Sequence, residues 1–145
     1  MIILRLLPEQ IMQMWPPIKT CIQSSLPPHV AASVEALTYI QEQLLLGSLQ
    51  CWIGREENMN TPCMVATTQI VHDPVSNVRN LLIYTVTAIA NHSHTVWIDG
   101  LKVMREFALS NQCINIIAYS DQPEALAVLE NLGGDTSWRL ITISV

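Results

Sequence analysis

Charge is what this sequence has least of: Asp, Glu, Lys and Arg make up 13% of its 145 residues, where an ordinary soluble domain carries roughly 25%. The basic residues Arg5, Lys19, Arg55, Arg79, Lys102, Arg105 and Arg139 are scattered, and twelve acids against these seven give a net charge of −5. A nucleic-acid surface needs a clustered basic face to displace counterions, so no nucleic-acid partner is expected. Paired cysteines are missing too. Cys21, Cys51, Cys63 and Cys113 lie 12 to 50 residues apart, which leaves no Cys-x-x-Cys to grip a metal or form a redox couple and predicts reduced, mostly buried thiols and no metal site. No apolar run approaches the roughly 20 residues of a membrane helix; the longest, 81–90, has ten, two of them threonine. The apolar start, 1–7, is too short for a signal peptide and runs into Pro8-Glu9-Gln10 instead of a small-residue cleavage site, so a cytosolic protein without a membrane partner is expected. Neither a G-x-S-x-G motif nor a Cys–His constellation surrounds any nucleophile.

What is present is hydrophobic. Half of the residues are apolar and the mean hydropathy is +0.30. That excludes general disorder and fits one domain, 1–145, with a core of its own. It also exceeds what a small monomer comfortably buries, which predicts a protein partner or a homo-oligomer.

The order of elements follows from period and punctuation. Residues 2–7 form a short strand, and Pro8 opens a helix carrying Ile11, Met14, Trp15 and Ile18 that Pro16-Pro17 bends or ends. Val30, Val34, Leu37, Ile40, Leu44 and Leu45 repeat at helical spacing up to Gly47. The period then falls to two: 51–55, 63–72 and 80–90 read as a three-strand meander, with Asp73 to Asn77 as a turn. A helix over 96–110 buries Trp97, Leu101, Met104 and Ala108, with Ser93 or Thr95 as its N-cap. A second buried strand occupies 113–119. In the helix over 123–132 Asp121 caps, Glu124 reaches back and Gly133 or Gly134 terminates. Residues 136–145 alternate and are expected to close the sheet, with Trp138, Leu140 and Thr142 on one face.

This order, with the run Ser120-Asp121-Gln122-Pro123-Glu124-Ala125-Leu126-Ala127-Val128-Leu129-Glu130-Asn131-Leu132-Gly133, resembles the GNAT superfamily of acyl-CoA-dependent N-acetyltransferases, and more narrowly short GNAT-like proteins encoded by bacteriophages. The resemblance implies an α/β (α+β) fold, a mixed, mostly antiparallel sheet flanked by helices. It also implies a cleft between splayed strands, at Val86 to Ala90 and Ile116 to Tyr119, in which a pantetheine arm pairs with main chain. The family's phosphate loop, Q/R-x-x-G-x-G/A, corresponds to Asn91-His92-Ser93-His94-Thr95-Val96, which has neither glycine nor a leading Arg or Gln. If CoA binds, Ile89, Asn91, His92, Ser93, His94 and Thr95 are the residues implied to hold it. The family's tyrosine, which protonates the leaving thiolate, corresponds to Leu129, and an aliphatic side chain transfers no proton. The stretch after Gly134 is long enough for one strand where the family has a hairpin.

Other candidates have competing structural explanations. His92-x-His94 suits a phosphate or metal contact, or merely a cap facing solvent. Glu56-Glu57 suits a general base or a solvated turn; His72-Asp73 suits a base and its orienting acid, but neighbours on a strand face opposite ways, which favours a turn-starting Asp. Trp15 beside Pro16-Pro17 is the expected exposed anchor, and Met12, Met14, Met59, Met64 and Met104 are expected core filler. The two departures from the family pattern lead to the expectation of a non-catalytic interaction or assembly protein, phage-encoded and virion-associated, with no cofactor. The alternative is an acetyl-CoA-dependent N-acetyltransferase with an atypical loop.

Overall fold

The computed structural model describes residues 1–89 and 95–145. Strands Ile2–Arg5 (β1), Gln50–Arg55 (β2), Met64–Asp73 (β3), Val78–Ala88 (β4) and Asn115–Ala118 (β5) form one sheet in sequence order. All pairings are antiparallel except β4–β5, which is parallel. Helices Pro8–Gln13 (α1), Trp15–Ser25 (α2) and Val34–Leu46 (α3) precede β2; Thr95–Ser110 (α4) and Pro123–Asn131 (α5) flank β5 in sequence. This is the mixed, mostly antiparallel sheet with flanking helices that the resemblance implies.

Strand alternation sends side chains to two cores. Cys51, Ile53 and Val65 pack with Ile11, Ile18, Ile22, Leu37, Ile40 and Leu44 of α1–α3. Trp52, Met64, Ala66 and Leu81 pack with Val96, Met104 and Ala108 of α4. Buried polar groups are satisfied within the sheet: Trp52 Nε1 donates to Thr68 Oγ1 at 2.9 Å, Thr68 Oγ1 donates to Gln50 Oε1 at 2.9 Å, and the Thr67 and Thr85 hydroxyls meet at 2.6 Å. Such pairing removes the penalty of about 1–3 kcal/mol for each buried orphan group.

Helix ends show which local signals decided. Ser33 Oγ accepts from Ala36 N at 3.1 Å and Gly47, at φ +83°, ends α3, so this helix starts at Val34 and leaves Val30 outside. The first expected helix is two: Met14, at φ −103° and ψ 12°, breaks it, and Pro16-Pro17 then sit in the opening turn of α2, where no N–H is needed. Trp15 is half-buried against the α1–α3 core instead of standing as an exposed anchor. Met64 and Met104 are core, whereas Met12 and Met59 are exposed. Of the two N-cap candidates for α4, Thr95 is already helical and Ser93 lies outside the described residues. Within α4, Met104 and Ala108 are buried as expected, while Trp97 and Leu101 are only half-buried. Gln122, not Asp121, occupies the N-cap of α5 and makes no side-chain cap bond.

The largest departures are at the far side of the sheet. Among the described residues β5 is an edge strand, with Ile117 and the preceding Ile114 exposed, instead of a buried one. Residues 136–145 form no strand, and Trp138 is 86% exposed where core packing was expected. Alternation alone does not make a strand: without a partner edge to supply ladder hydrogen bonds, residues 136–145 stay irregular and exposed.

Candidate functional site

The feature that opens a site is a one-residue bulge. Thr67 pairs with Thr85 but Thr68 pairs with Ile83, which makes Tyr84 an extra residue in β4. A bulge bends its strand and increases the local twist. On its other side β4 pairs with β5 only from Asn80–Asn115 to Ile83–Ala118, with a last long bond from Tyr119 N to Ile83 O at 3.4 Å. From Tyr84 onward the two strands part. The divergence thus starts just beyond the expected position: Ile116 is still paired, to Leu81, and the open stretch is Tyr84 to Ala88 against Tyr119 and Ser120.

The β4 side of the parting is fixed on two flanks. The open end of β4 stays paired to β3, through Val65–Thr87 and Met64–Ala88, and Ile89 N continues the ladder to Cys63 O at 2.7 Å. On the α2 side Thr87 Oγ1 lies 2.9 Å from Cys21 O and 3.0 Å from Ser25 Oγ, and Ser25 Oγ donates to Cys21 O at 2.8 Å. This triangle pins the β4 arm to the end of α2. On the α4 side the parting strands leave an apolar cavity of about 50 Å³, lined by Ile83 and Val86 of β4, Ala118 and Ser120 at the end of β5, Trp97, Leu101 and Met104 of α4, and Ala125 and Leu129 of α5. Leu129 therefore projects into the cleft, although it is half-buried and not part of a closed core. Ser120 Oγ accepts from Gln122 N at 3.3 Å.

On the opposite face stand three groups that sequence reasoning did not single out. His29, just after Pro27-Pro28, meets the Tyr119 ring edge-on at 5.7 Å between centroids. Burial pushes the Tyr84 phenol up, and the neighbouring Tyr119 adds to the rise. An imidazole and two phenols thus flank the point where β4 and β5 separate. Ninety residues separate His29 from Tyr119 in sequence, and no local motif joins them.

Of the residues implied to hold CoA, Ile89 lies at the end of the β4 arm and Thr95 opens α4; Asn91, His92, Ser93 and His94 lie outside the described residues. Glu56 and Glu57 sit in the β2–β3 turn, where Met59 N donates to Glu56 O at 3.1 Å. His72 and Asp73 end β3, and Asp73 starts the turn: it accepts from Val75 N and Ser76 Oγ at 2.9 Å each, and His72 Nε2 lies 2.8 Å from Asn77 Oδ1. These bonds hold the Asp73 carboxyl below its ordinary range, the Val75 amide contributing most. All four cysteines are free, and burial, with Cys21 adding, pushes the Cys51 thiol up to about 12, so it stays protonated and inert. Among the described residues no group of three or more His, Cys, Asp or Glu side chains is placed to hold a metal ion, and no helix is long and apolar enough to cross a membrane.

No protein-family model matches the sequence, and no curated protein matches it significantly. Solved structures do match, along the whole chain. One is a ribosomal-protein-alanine N-acetyltransferase from Brucella melitensis biovar Abortus 2308, at TM-score 0.70 and 13% identity, covering 100% of both chains. A second is the aminoglycoside N-acetyltransferase AAC(6')-Iy bound to a bisubstrate analogue of CoA, at TM-score 0.71 and 14% identity, covering 99% of this chain and 97% of that one. A third is a predicted acetyltransferase with acetyl-CoA from Clostridium acetobutylicum, at TM-score 0.70 and 15% identity, covering 97% and 95%. At such identities the likeness establishes the fold, and the fold of this chain is that of the GNAT acetyltransferases.

Proposed function

We propose that the protein is an acetyl-CoA-dependent N-acetyltransferase. The observation that carries this reading is the parting of β4 from β5 at the Tyr84 bulge, which exposes main chain beside an apolar cavity. A pantetheine arm is an amide-bearing chain, and the open edge of Tyr84 to Ala88 offers it backbone groups to pair with, as a peptide pairs with a sheet edge. The cavity is lined almost wholly by hydrocarbon and suits the apolar end of that arm. The fit is thus good for the pantetheine half, while for the pyrophosphate half only the sequence speaks: Asn91 to Val96 contain no glycine.

Acetyl-CoA supplies the activated acyl group. A primary amine approaching from the α2 face forms the N–C bond as the C–S bond breaks. One proton leaves the nitrogen and one reaches the sulfur. With Leu129 unable to donate, the Tyr119 phenol at the parting is the proton donor to sulfur, and the His29 imidazole beside it takes the proton of the amine. The competing reading, a non-catalytic assembly protein, rests on the loop without glycines and on Leu129. The open cleft, and the likeness to acetyltransferases, support catalysis over it.

The test is to incubate the protein with acetyl-CoA and a panel of primary amines, following free CoA by chromatography and acetylated amine by mass. Amine-dependent release of CoA is expected, with Tyr119→Phe and His29→Ala each lowering turnover by roughly a hundredfold or more. Absence of acetyl-CoA binding by calorimetry at millimolar ligand would overturn the proposal.

A further inference from the structure

Two helices of this protein turn apolar side chains and charge to solvent at the same spacing. On α3, Leu37, Ile40 and Leu44 face the core; the opposite stripe, Glu35, Tyr39, Glu42 and Leu46, is exposed, with Leu46 at 76%. On α4 the core face is Val96, Gly100, Met104 and Ala108. Its opposite stripe, Ile98, Lys102, Arg105 and Leu109, is likewise exposed, with Leu109 at 73%. Both stripes step by four, three and four residues, which keeps their members in line along about 16 Å of helix. None of the four charges makes an ion pair among the described residues.

The α4 stripe borders a groove. Together with Leu101, and with Leu132 just past α5, it lines a depression of about 370 Å³ in which Lys102 and Arg105 outweigh the one acid, Glu106. An apolar floor with a positive balance calls for an acidic amphipathic helix. The chain carries one itself, since α3 holds Glu35 and Glu42 and no base. It cannot reach the groove of its own molecule, because α3 and α4 pack on opposite faces of the sheet: α3 on Cys51, Ile53 and Val65, α4 on Trp52, Met64 and Ala66.

We propose that α3 of one copy docks in the α4–α5 groove of a second copy of this chain. Laid antiparallel, the two stripes bring Leu46 to Ile98, Glu42 to Lys102, Tyr39 to Arg105, and the start of α3 to Leu109. Apolar thus meets apolar, acid meets base, and a ring meets a guanidinium. The two patches differ and face opposite ways, so a docked copy still presents its own α3 on one side or its own groove on the other. The assembly therefore grows copy by copy instead of closing as a two-fold dimer. It leaves the cleft open, since the groove is on the solvent side of α4, with Leu101 as the wall it shares with the cavity. The proposal does not depend on the acetyltransferase reading, and its test uses no acetyl-CoA.

One helix pair is a small contact, below the roughly 1,200 Å² at which stable complexes begin, so sedimentation equilibrium is run from micromolar to millimolar protein. The weight-average mass is expected to rise steadily above the 16.2 kDa of one chain without levelling at twice that value. Glu42→Lys and Lys102→Glu each set like charges face to face and should each hold the mass at that of one chain. The double variant Glu42→Lys/Lys102→Glu makes the charges opposite again and should associate as the wild type does. Both positions are exposed, so circular dichroism should be unchanged in all three variants. A wild-type monomer at every load overturns the proposal, since the groove is then empty or takes another protein's helix. A closed dimer, or association indifferent to either single variant, overturns it because the interface lies elsewhere. A double variant that stays monomeric overturns it too, because Glu42 and Lys102 then do not meet.

Discussion

Thr87→Val isolates what holds the cleft open. The substitution keeps the shape of the side chain and deletes the hydroxyl that reaches Cys21 O at 2.9 Å and Ser25 Oγ at 3.0 Å. Cys21 O keeps two other donors, Ser24 Oγ and Ser25 Oγ, so no acceptor is orphaned, and the loss is that of one net hydrogen bond, about 1 kcal/mol. For a chain of this size that lowers Tm by roughly 2–4 °C. Thr87→Ser, which keeps the hydroxyl and loses a methyl, costs about 0.8 kcal/mol if that methyl is fully buried and less at this half-buried site. Stability alone therefore separates the two weakly, and acetyl-CoA binding separates them well. The valine variant frees the β4 arm from α2 and should weaken binding severalfold, whereas the serine variant keeps the tether and should bind as wild type does. Urea unfolding and calorimetry read both quantities. Weaker binding in the serine variant than in the valine variant would refute the reasoning, since packing and not the hydroxyl would then position the arm.

Leu129→Tyr should fold, because Leu129 is half-buried and faces an apolar cavity of about 50 Å³, and it should raise turnover by placing a further phenol at the cleft; Leu129→Ala should cost less than the roughly 2–5 kcal/mol of a fully buried leucine. Both are read by thermal melts and the transfer assay. The Asp73 carboxyl is held below its ordinary range by the Val75 amide and the Ser76 hydroxyl. Its contribution to stability is present above the ordinary aspartate pKa of about 4 and is lost as pH falls through the lowered folded value. Asp73→Asn should remove that part of the acid-side decline in a pH series of melts. S-acetylpantetheine should bind within roughly tenfold of acetyl-CoA, or 1.4 kcal/mol, because a loop without glycines holds the pyrophosphate poorly; calorimetry with the two ligands checks it.

Sequence legibility followed the range of the interactions involved. The Gly47 end of α3, the Asp73 turn and the Gly133 exit were all readable, since each is decided by residues within four positions of one another, whereas the Ser33 cap that starts α3 at Val34 was not read. The meander was readable because period-two alternation is local too. The Tyr84 bulge was not: it exists only in the register of β4 against β3, and nothing in the run Leu82-Ile83-Tyr84-Thr85-Val86 announces which residue will be extra. The meeting of His29 with Tyr119 depends on that same non-local geometry. Residues 136–145 mark the limit most clearly, since their alternation suggests a strand that the structure does not form.

The two departures from the family pattern do not weigh equally against catalysis. A phosphate loop contributes binding that is the same in the ground and transition states, so its erosion raises KM more than it lowers kcat. A missing acid acts in the transition state alone and lowers kcat directly. Leu129 is therefore the departure that matters, and it can be compensated only by another proton donor at the parting strands. Tyr84 and Tyr119 stand there because the bulge that opens the cleft also fixes where β4 lets go of β5. On the proposed reading, the bulge that would admit a pantetheine arm is thus the same geometry that brings two phenols to its end.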